Sequence, residues 1–303
     1  MISDFDTNTI YFSELLKTEK KFAKTFKEIS SVLKSIGIIP KFLPKTKDIW
    51  ARDYMPIQVT EKRFIEYRYD PDYLQGSSDE KKTRELKTYP DIVTDAIGLK
   101  TVKSDIIIDG GNVVKYKNKV ILTDKILWEN QNDYSASELE KTLQRLFKVK
   151  DVLFIPWDED CEFGHSDGIL RFINENTVLI SGFYETVDLV LKKELLKVLE
   201  LANLKWEWLR CSEKETEEHI AYINFLQTKD LILLPRLNKK EEDKEALKII
   251  SKFYKNYADK ERIFQIDMTE IVKFGGASNC ISWTIKENII ESRHDKKQTT
   301  HHN

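Results

Sequence analysis

Residues 164–183 read GHSDGILRFINENTVLISGF: a polar motif, an apolar run, a polar turn at residues 174–176 and a second apolar run. Short runs of alternating apolar and β-branched residues around a turn spell a β-hairpin. The same grammar recurs four more times. It begins at Trp50 (WARDYMPIQV, then FIEYRY), Asp109 (DGGNVVKYKN, then KVILTDKI), His219 (HIAYINFLQT, then DLILLPRL) and Gly275 (GGASNCISWTI, then KENII). Asp53, Asn112, Asp167, Asn224 and Cys280 mark comparable points, separated by 59, 55, 57 and 56 residues. One supersecondary unit repeated at a near-constant period implies a radial or stacked architecture, with the polar ends converging on a common axis.

Between the hairpins the apolar period changes to that of helices. Residues 13–36 (SELLKTEKKFAKTFKEISSVLKSI) predict one helix, started by Ser13 and Glu14 and stopped by Gly37. Residues 135–147, 186–203 and 239–258 predict three more, and Asp91 to Ile97 a short one after a loop at Gly76, Ser77 and Ser78. VLFIP at 152–156 and RIFQIDM at 262–268 supply strands ahead of the third and fifth motifs. The order is hairpin, helix, strand, repeated, which makes the fold class α/β. Residues 1–290 are expected to form a single domain, and 291–303 a polar, frayed tail.

Composition removes several classes of function. The 303 residues are 41% hydrophobic, enough for a full core. A net charge of −2 and interleaved Lys and Glu give no field for nucleic acid or an anionic membrane. No apolar run approaches a membrane span. Cys161, Cys211 and Cys280 are too sparse for a disulfide framework or a zinc pattern, which suits a reduced cytoplasm. The acidic N-terminus shows no signal peptide. Three of five histidines (His294, His301, His302) lie in the tail.

Cys280 follows Gly275 and Gly276, which let the backbone turn tightly or approach a ligand. It reads as a nucleophile or as a buried core cysteine. Cys161 reads as close to the site but structural, and Cys211 as ordinary. His165 and Asp167, two apart in an extended segment, would face one pocket; a simple turn is the other reading. Asp53 is a loop carboxylate, an ion-pair partner of Arg52 or a cation ligand, and Trp50 is core or a stacking surface for a planar cation. IDGGN at Asp109 is a turn on its own, with no phosphate-binding glycine motif. Asp158, Glu159, Asp160 and Glu162 form a solvated loop or a negative potential that attracts a cationic substrate. Together, one Cys, one His and two Asp suit a guanidinium. Carboxylates hold its nitrogens by charge-assisted bonds, a thiolate attacks the central carbon, and His moves the protons. Neither metal nor cofactor is required.

WARDYMPIQV, IDGGNVVKY, GHSDGILRFINENTVLISGF, AYINFLQTKDLILLP and GGASNCISW, in that order over roughly residues 45–285, resemble the agmatine deiminase and Porphyromonas-type peptidylarginine deiminase family of the pentein superfamily. The resemblance implies a five-bladed pseudo-symmetric α/β propeller with its active site in a central channel. It implies Cys280 as nucleophile, His165 as general acid and then base, and Asp53 and Asp167 as guanidinium-binding carboxylates. Trp50, Asp109 and Asn224 would lie near the substrate. The implied reaction converts agmatine to N-carbamoylputrescine and ammonia through a covalent cysteine intermediate, without metal or cofactor, in a cytoplasmic homodimer. Two departures bear on the substrate's far end. Asn279 stands where the family's pattern has His and Ala277 where it has Gly, and the N-terminus lacks the family's Trp- and His-containing segment. Free or peptidyl arginine deimination, amidino transfer to an amine, and guanidine binding without turnover are the competing readings. A papain-like protease is disfavoured, because His precedes Cys and two carboxylates would have no task.

Overall fold

The computed structural model describes residues 1–75, 85–186 and 189–287. Its strands are β1 (Thr9–Ser13), β2 (Lys41–Leu43), β3 (Ile57–Thr60), β4 (Arg63–Arg68), β5 (Val102–Ile107), β6 (Val114–Tyr116), β7 (Lys119–Thr123), β8 (Asp151–Ile155), β9 (Leu170–Asn174), β10 (Thr177–Ser181), β11 (Lys205–Leu209), β12 (Leu226–Gln227), β13 (Ile232–Arg236), β14 (Ile263–Asp267) and β15 (Ser282–Ile285). They form five three-stranded sheets. In four of them an antiparallel hairpin is joined by a parallel third strand: β3-β4-β5, β6-β7-β8, β9-β10-β11 and β12-β13-β14.

A parallel partner needs a crossover, usually a helix. Helices Pro90–Ala96, Ala136–Phe147, Leu189–Leu201 and Lys240–Phe253 stand in those connections. Their buried residues recur every three or four positions: Leu139, Leu143 and Phe147 in one, Asp243, Ala246 and Ile250 in another. That spacing puts one stripe of each helix on its sheet. Ser135 and Glu138 form a reciprocal capping box at one start. The result is a five-bladed α/β propeller, the radial one of the two architectures the repeat allowed and the fold the resemblance implied.

The fifth blade takes a strand from the start of the chain. KENII at 286–290, expected as the second run of the last hairpin, lies outside the described residues beyond Glu287. β15 pairs antiparallel with β1, from Thr9 opposite Ile285 to Phe12 opposite Ser282, and β1 then pairs parallel with β2. The start of the chain thus supplies the strand that joins last blade to first. Ile10 and Phe12 explain why it docks there, since both are buried in the core cluster beneath it.

Two local readings also change. The helix expected over 13–36 is interrupted: Glu14–Thr18, a 3-10 turn Lys20–Phe22, then Ala23–Ser35. Glu19 is extended at the break, and Phe22 turns inward against Phe274. The loop at Gly76–Ser78 and the tail at 291–303 lie outside the described residues. Among the described residues no helix is long and apolar enough to cross a membrane.

Candidate active site

The polar ends of the hairpins meet and are stitched to one another in sequence. Asp53 Oδ1 accepts the backbone N–H of Gly111 at 3.1 Å, Asn112 Oδ1 that of Ser166 at 3.2 Å, and Asn224 Oδ1 that of Cys280 at 3.3 Å. Each acceptor is the marker residue of one motif, and each donor belongs to the next. The ring closes through the backbone, where Arg52 N–H donates to the Cys280 carbonyl at 3.0 Å. Among the described residues, the side chains of Asp167 and Cys280 take no backbone N–H from the following motif. Buried polar groups normally find partners. Two markers thus escape the structural task of the other three.

His165 sits between two carboxylates. Its Nε2 lies 3.0 Å from Asp109 Oδ2, and its Nδ1 lies 3.7 Å from Asp53 Oδ1. Gly111 permits this meeting, since a Cβ there would fall 2.6 Å from both Asp53 Oδ1 and His165 Nδ1. The Tyr73 hydroxyl donates to Asp109 Oδ2 at 3.1 Å and fixes that carboxylate in turn. Burial disfavours charge on the ring, but Asp53, Asp109 and Asp167 outweigh it and lift the His165 pKa to about 9. Burial, reinforced by Asp109, Asp167 and Asp48 and opposed by His165, pushes Asp53 up to about 8.

His165, Asp167, Asn224 and Cys280 line one cavity of about 320 Å³. Phe163, Tyr184, Ile220 and Val272 supply apolar wall, and Glu217 and Glu218 also line it. Cys280 is buried, and its Sγ donates to Asn224 Oδ1 at 3.2 Å. Burial and the charges of Asp167 and Asp53 hold this thiol well above its ordinary pKa. Asp167 Oδ2 accepts from Asn279 Nδ2 at 2.6 Å, and Asn279 Oδ1 accepts from Arg52 at 3.0 Å.

The sequence model of the Porphyromonas-type peptidyl-arginine deiminase family matches residues 2–285. The chain belongs to that family. A curated relative, the agmatine deiminase of Medicago truncatula, is 24% identical over 213 residues, a stretch covering 58% of this chain and 56% of the plant protein. Among solved structures, the agmatine deiminase of C. jejuni superposes with a TM-score of 0.72 at 15% identity, over 94% of this chain and 96% of that one. That of Enterococcus faecalis superposes with a TM-score of 0.72 at 17% identity, over 95% of each chain. At such identities these structures speak for the shared propeller.

In this family member the expected residues divide into two shells. Cys280, His165, Asp167 and Asn224 reach the cavity. Asp53 and Asp109 stand behind His165, and Asp109, expected near the substrate, is the partner of the imidazole. Trp50, also expected near the substrate, packs against cavity-lining Gly276, whose missing side chain makes room for the indole. His165 and Asp167 share the pocket for a different reason from the one expected. Residues Ser166–Gly168 form a 3-10 turn, so a turn rather than strand alternation aims Asp167. Arg52 does not pair with Asp53; it faces Asp4 and Asn279. The acidic run at 158–162 contributes Cys161 to the cavity but none of its carboxylates; the carboxylates that line it are Asp167, Glu217 and Glu218. Cys211 is buried in the core, as expected of an ordinary cysteine. Asn279, Tyr73 and Glu217 had no assigned role in the sequence reading, and Arg52 was considered only as a partner of Asp53. Only Asn279, as a departure from the family pattern, carried a signal.

Proposed function

We propose that this chain hydrolyses the guanidinium of agmatine, or of a close analogue with a cationic far end, to a ureido product and ammonia. The observation that carries the reading is one cavity lined by a buried cysteine, a doubly carboxylate-backed histidine and the carboxylate of Asp167. Asp167, with Asp53 behind it, would hold the guanidinium nitrogens by charge-assisted hydrogen bonds. Cys280 Sγ would then attack the central carbon.

The raised thiol pKa fits this order of events. In the empty site the proton stays on sulfur, directed at Asn224. A bound guanidinium brings positive charge beside Cys280 and opposes the effect of the two carboxylates, so the thiol releases its proton to solvent and the thiolate forms where its target is. As the C–S bond forms, protonated His165 gives its proton to the departing nitrogen, which leaves as ammonia. The carbon remains on sulfur as a thiouronium. Neutral His165 then takes a proton from water, the hydroxyl adds to the same carbon, and the C–S bond breaks to give the ureido product.

The cavity walls favour agmatine over free arginine. Glu217 and Glu218 line it, and among the described residues no Lys or Arg does. Lys239 pairs with Glu218 at 2.6 Å. An α-carboxylate at the far end would meet negative charge, whereas a primary ammonium would be attracted. The three free thiols suit a reducing, cytoplasmic setting.

Agmatine, free arginine and an arginine peptide, each assayed for ammonia and ureido product, test the proposal. Product from agmatine above all is expected. Preferential turnover of free arginine would overturn the substrate reading, and no product from any guanidine would overturn the activity.

A further inference from the structure

The segment that closes the propeller also reaches the candidate active site. Residues Asp4–Asp6 form a short turn before β1. It is held by Thr7 Oγ1 donating to the Asp4 carbonyl at 2.6 Å and by Lys117 N–H donating to Ser3 Oγ at 2.8 Å. Asp4 faces three cations, one from each of the first three hairpin motifs. Its Oδ2 lies 3.0 Å from Arg171, and its Oδ1 lies 3.5 Å from Lys115 and 3.9 Å from Arg52. All three cations are buried. Among the described residues, Asp4 is the carboxylate that ion-pairs with them. Burial opposes charge on Asp4, but Lys115, Arg171 and Arg52 prevail and lower its pKa.

From Arg52 the contacts lead to the cavity. Its guanidinium can only donate, so the Asn279 amide must present oxygen to Arg52 and nitrogen to Asp167. The amide orientation is thus set from outside the cavity, and with it the donor that fixes Asp167. Without Asp4 the guanidinium would sit among buried cations with no counter-charge to orient it.

We propose that Asp4, Arg52 and Asn279 are positioning residues that aim Asp167 at the substrate guanidinium. This rests on the deiminase reading above. It assigns to the start of the chain a role in substrate affinity beyond closing the fifth blade.

Calorimetric titration of agmatine into the Cys280→Ser protein tests this without turnover. Asn279→Ala in that background is expected to weaken affinity roughly tenfold, the scale of one hydrogen bond to a charged group. Asp4→Asn is expected to weaken it in the same direction, and Asp4→Glu to restore much of the loss. The double variant Asp4→Asn/Asn279→Ala should bind about as weakly as Asn279→Ala alone, because both cut one chain of contacts. A purely structural Asp4 would lower the melting temperature and leave affinity unchanged, or its effect would add in full to that of Asn279→Ala. Either result overturns the proposal. Asn279→Ala leaves the Asp4 ion cluster intact, so its unchanged affinity would sink the inference even if Asp4→Asn failed to fold. If the Cys280→Ser protein bound no guanidine at all, the deiminase reading itself would fall, and the positioning role with it.

Discussion

Asn112 and Cys280 occupy comparable points of the second and fifth hairpins, yet they do opposite things. The Asn112 side chain is consumed by structure, accepting N–H groups from Thr123 at 2.8 Å and Ser166 at 3.2 Å. The Cys280 sulfur accepts nothing from the next motif and faces a cavity. Asn224 and Asp167 both line the cavity, but of the two only Asn224 is also stitched to the following motif. A pseudo-symmetric ring needs its blades joined, and an amide or carboxylate at the marker position does that. At the last junction the joint is the Arg52 N–H to the Cys280 carbonyl, so the thiol joins no following motif and donates to Asn224 Oδ1 at the cavity instead.

Substitutions can break this comparison from either side. The largest effect is expected at the released marker: Cys280→Ala should remove turnover below detection while the melting temperature stays close to wild type. A variant with measurable turnover would take the nucleophile's role away from Cys280.

A second test concerns the histidine. Asp53 must be a carboxylate to hold a cation, and its pKa of about 8 makes the free enzyme competent only above that value. His165 must be protonated to act as acid, and its pKa of about 9 ends competence above that value. The two groups lie 3.7 Å apart and titrate as a pair, so kcat/KM should rise and then fall across the window from about pH 8 to about pH 9. Asp109→Asn removes part of what raises His165, so the falling limb should move to lower pH. A limb that stays in place would remove Asp109 from its role behind the imidazole.

The stitched marker should behave in the opposite way to Cys280. Asn112→Ala strands two buried N–H groups and should cost about 1–3 kcal/mol for each. Thermal unfolding would register that loss, while the folded fraction keeps its kcat. An Asn112→Ala protein with wild-type stability would show that the stitch carries no weight. The smallest effect is expected at the cavity's exposed carboxylate. Glu217→Lys should lower kcat/KM for agmatine about two- to fivefold, as for a solvent-screened charge contact. Butylguanidine, which lacks the distal amine, should be spared, and an equal loss with both substrates would exclude Glu217 from reading that amine.

The propeller was legible because each hairpin carries its own local pattern and the spacing repeats. The closing strand was not, because β1 finds β15 across almost the whole chain and nothing local names a partner so distant. The site was legible in part for a similar reason. Cys280, His165 and Asp167 stand in motifs that announce turns and polar ends. The duty of Asp109 depends on where another blade places His165, and that of Arg52 on a segment nearly 50 residues earlier. The contact of Trp50 with Gly276 was not legible, because an aromatic beside a motif looks the same whether it faces a cavity or backs a glycine.

The most direct test of the account is an acid quench of the protein during agmatine turnover, followed by mass spectrometry of the peptide that contains Cys280. The account predicts an adduct on Cys280 with the mass of agmatine less ammonia, rising to a steady level and decaying when substrate is exhausted. Turnover with an unmodified Cys280 at every quench time, or an adduct on Cys161 instead, would contradict it.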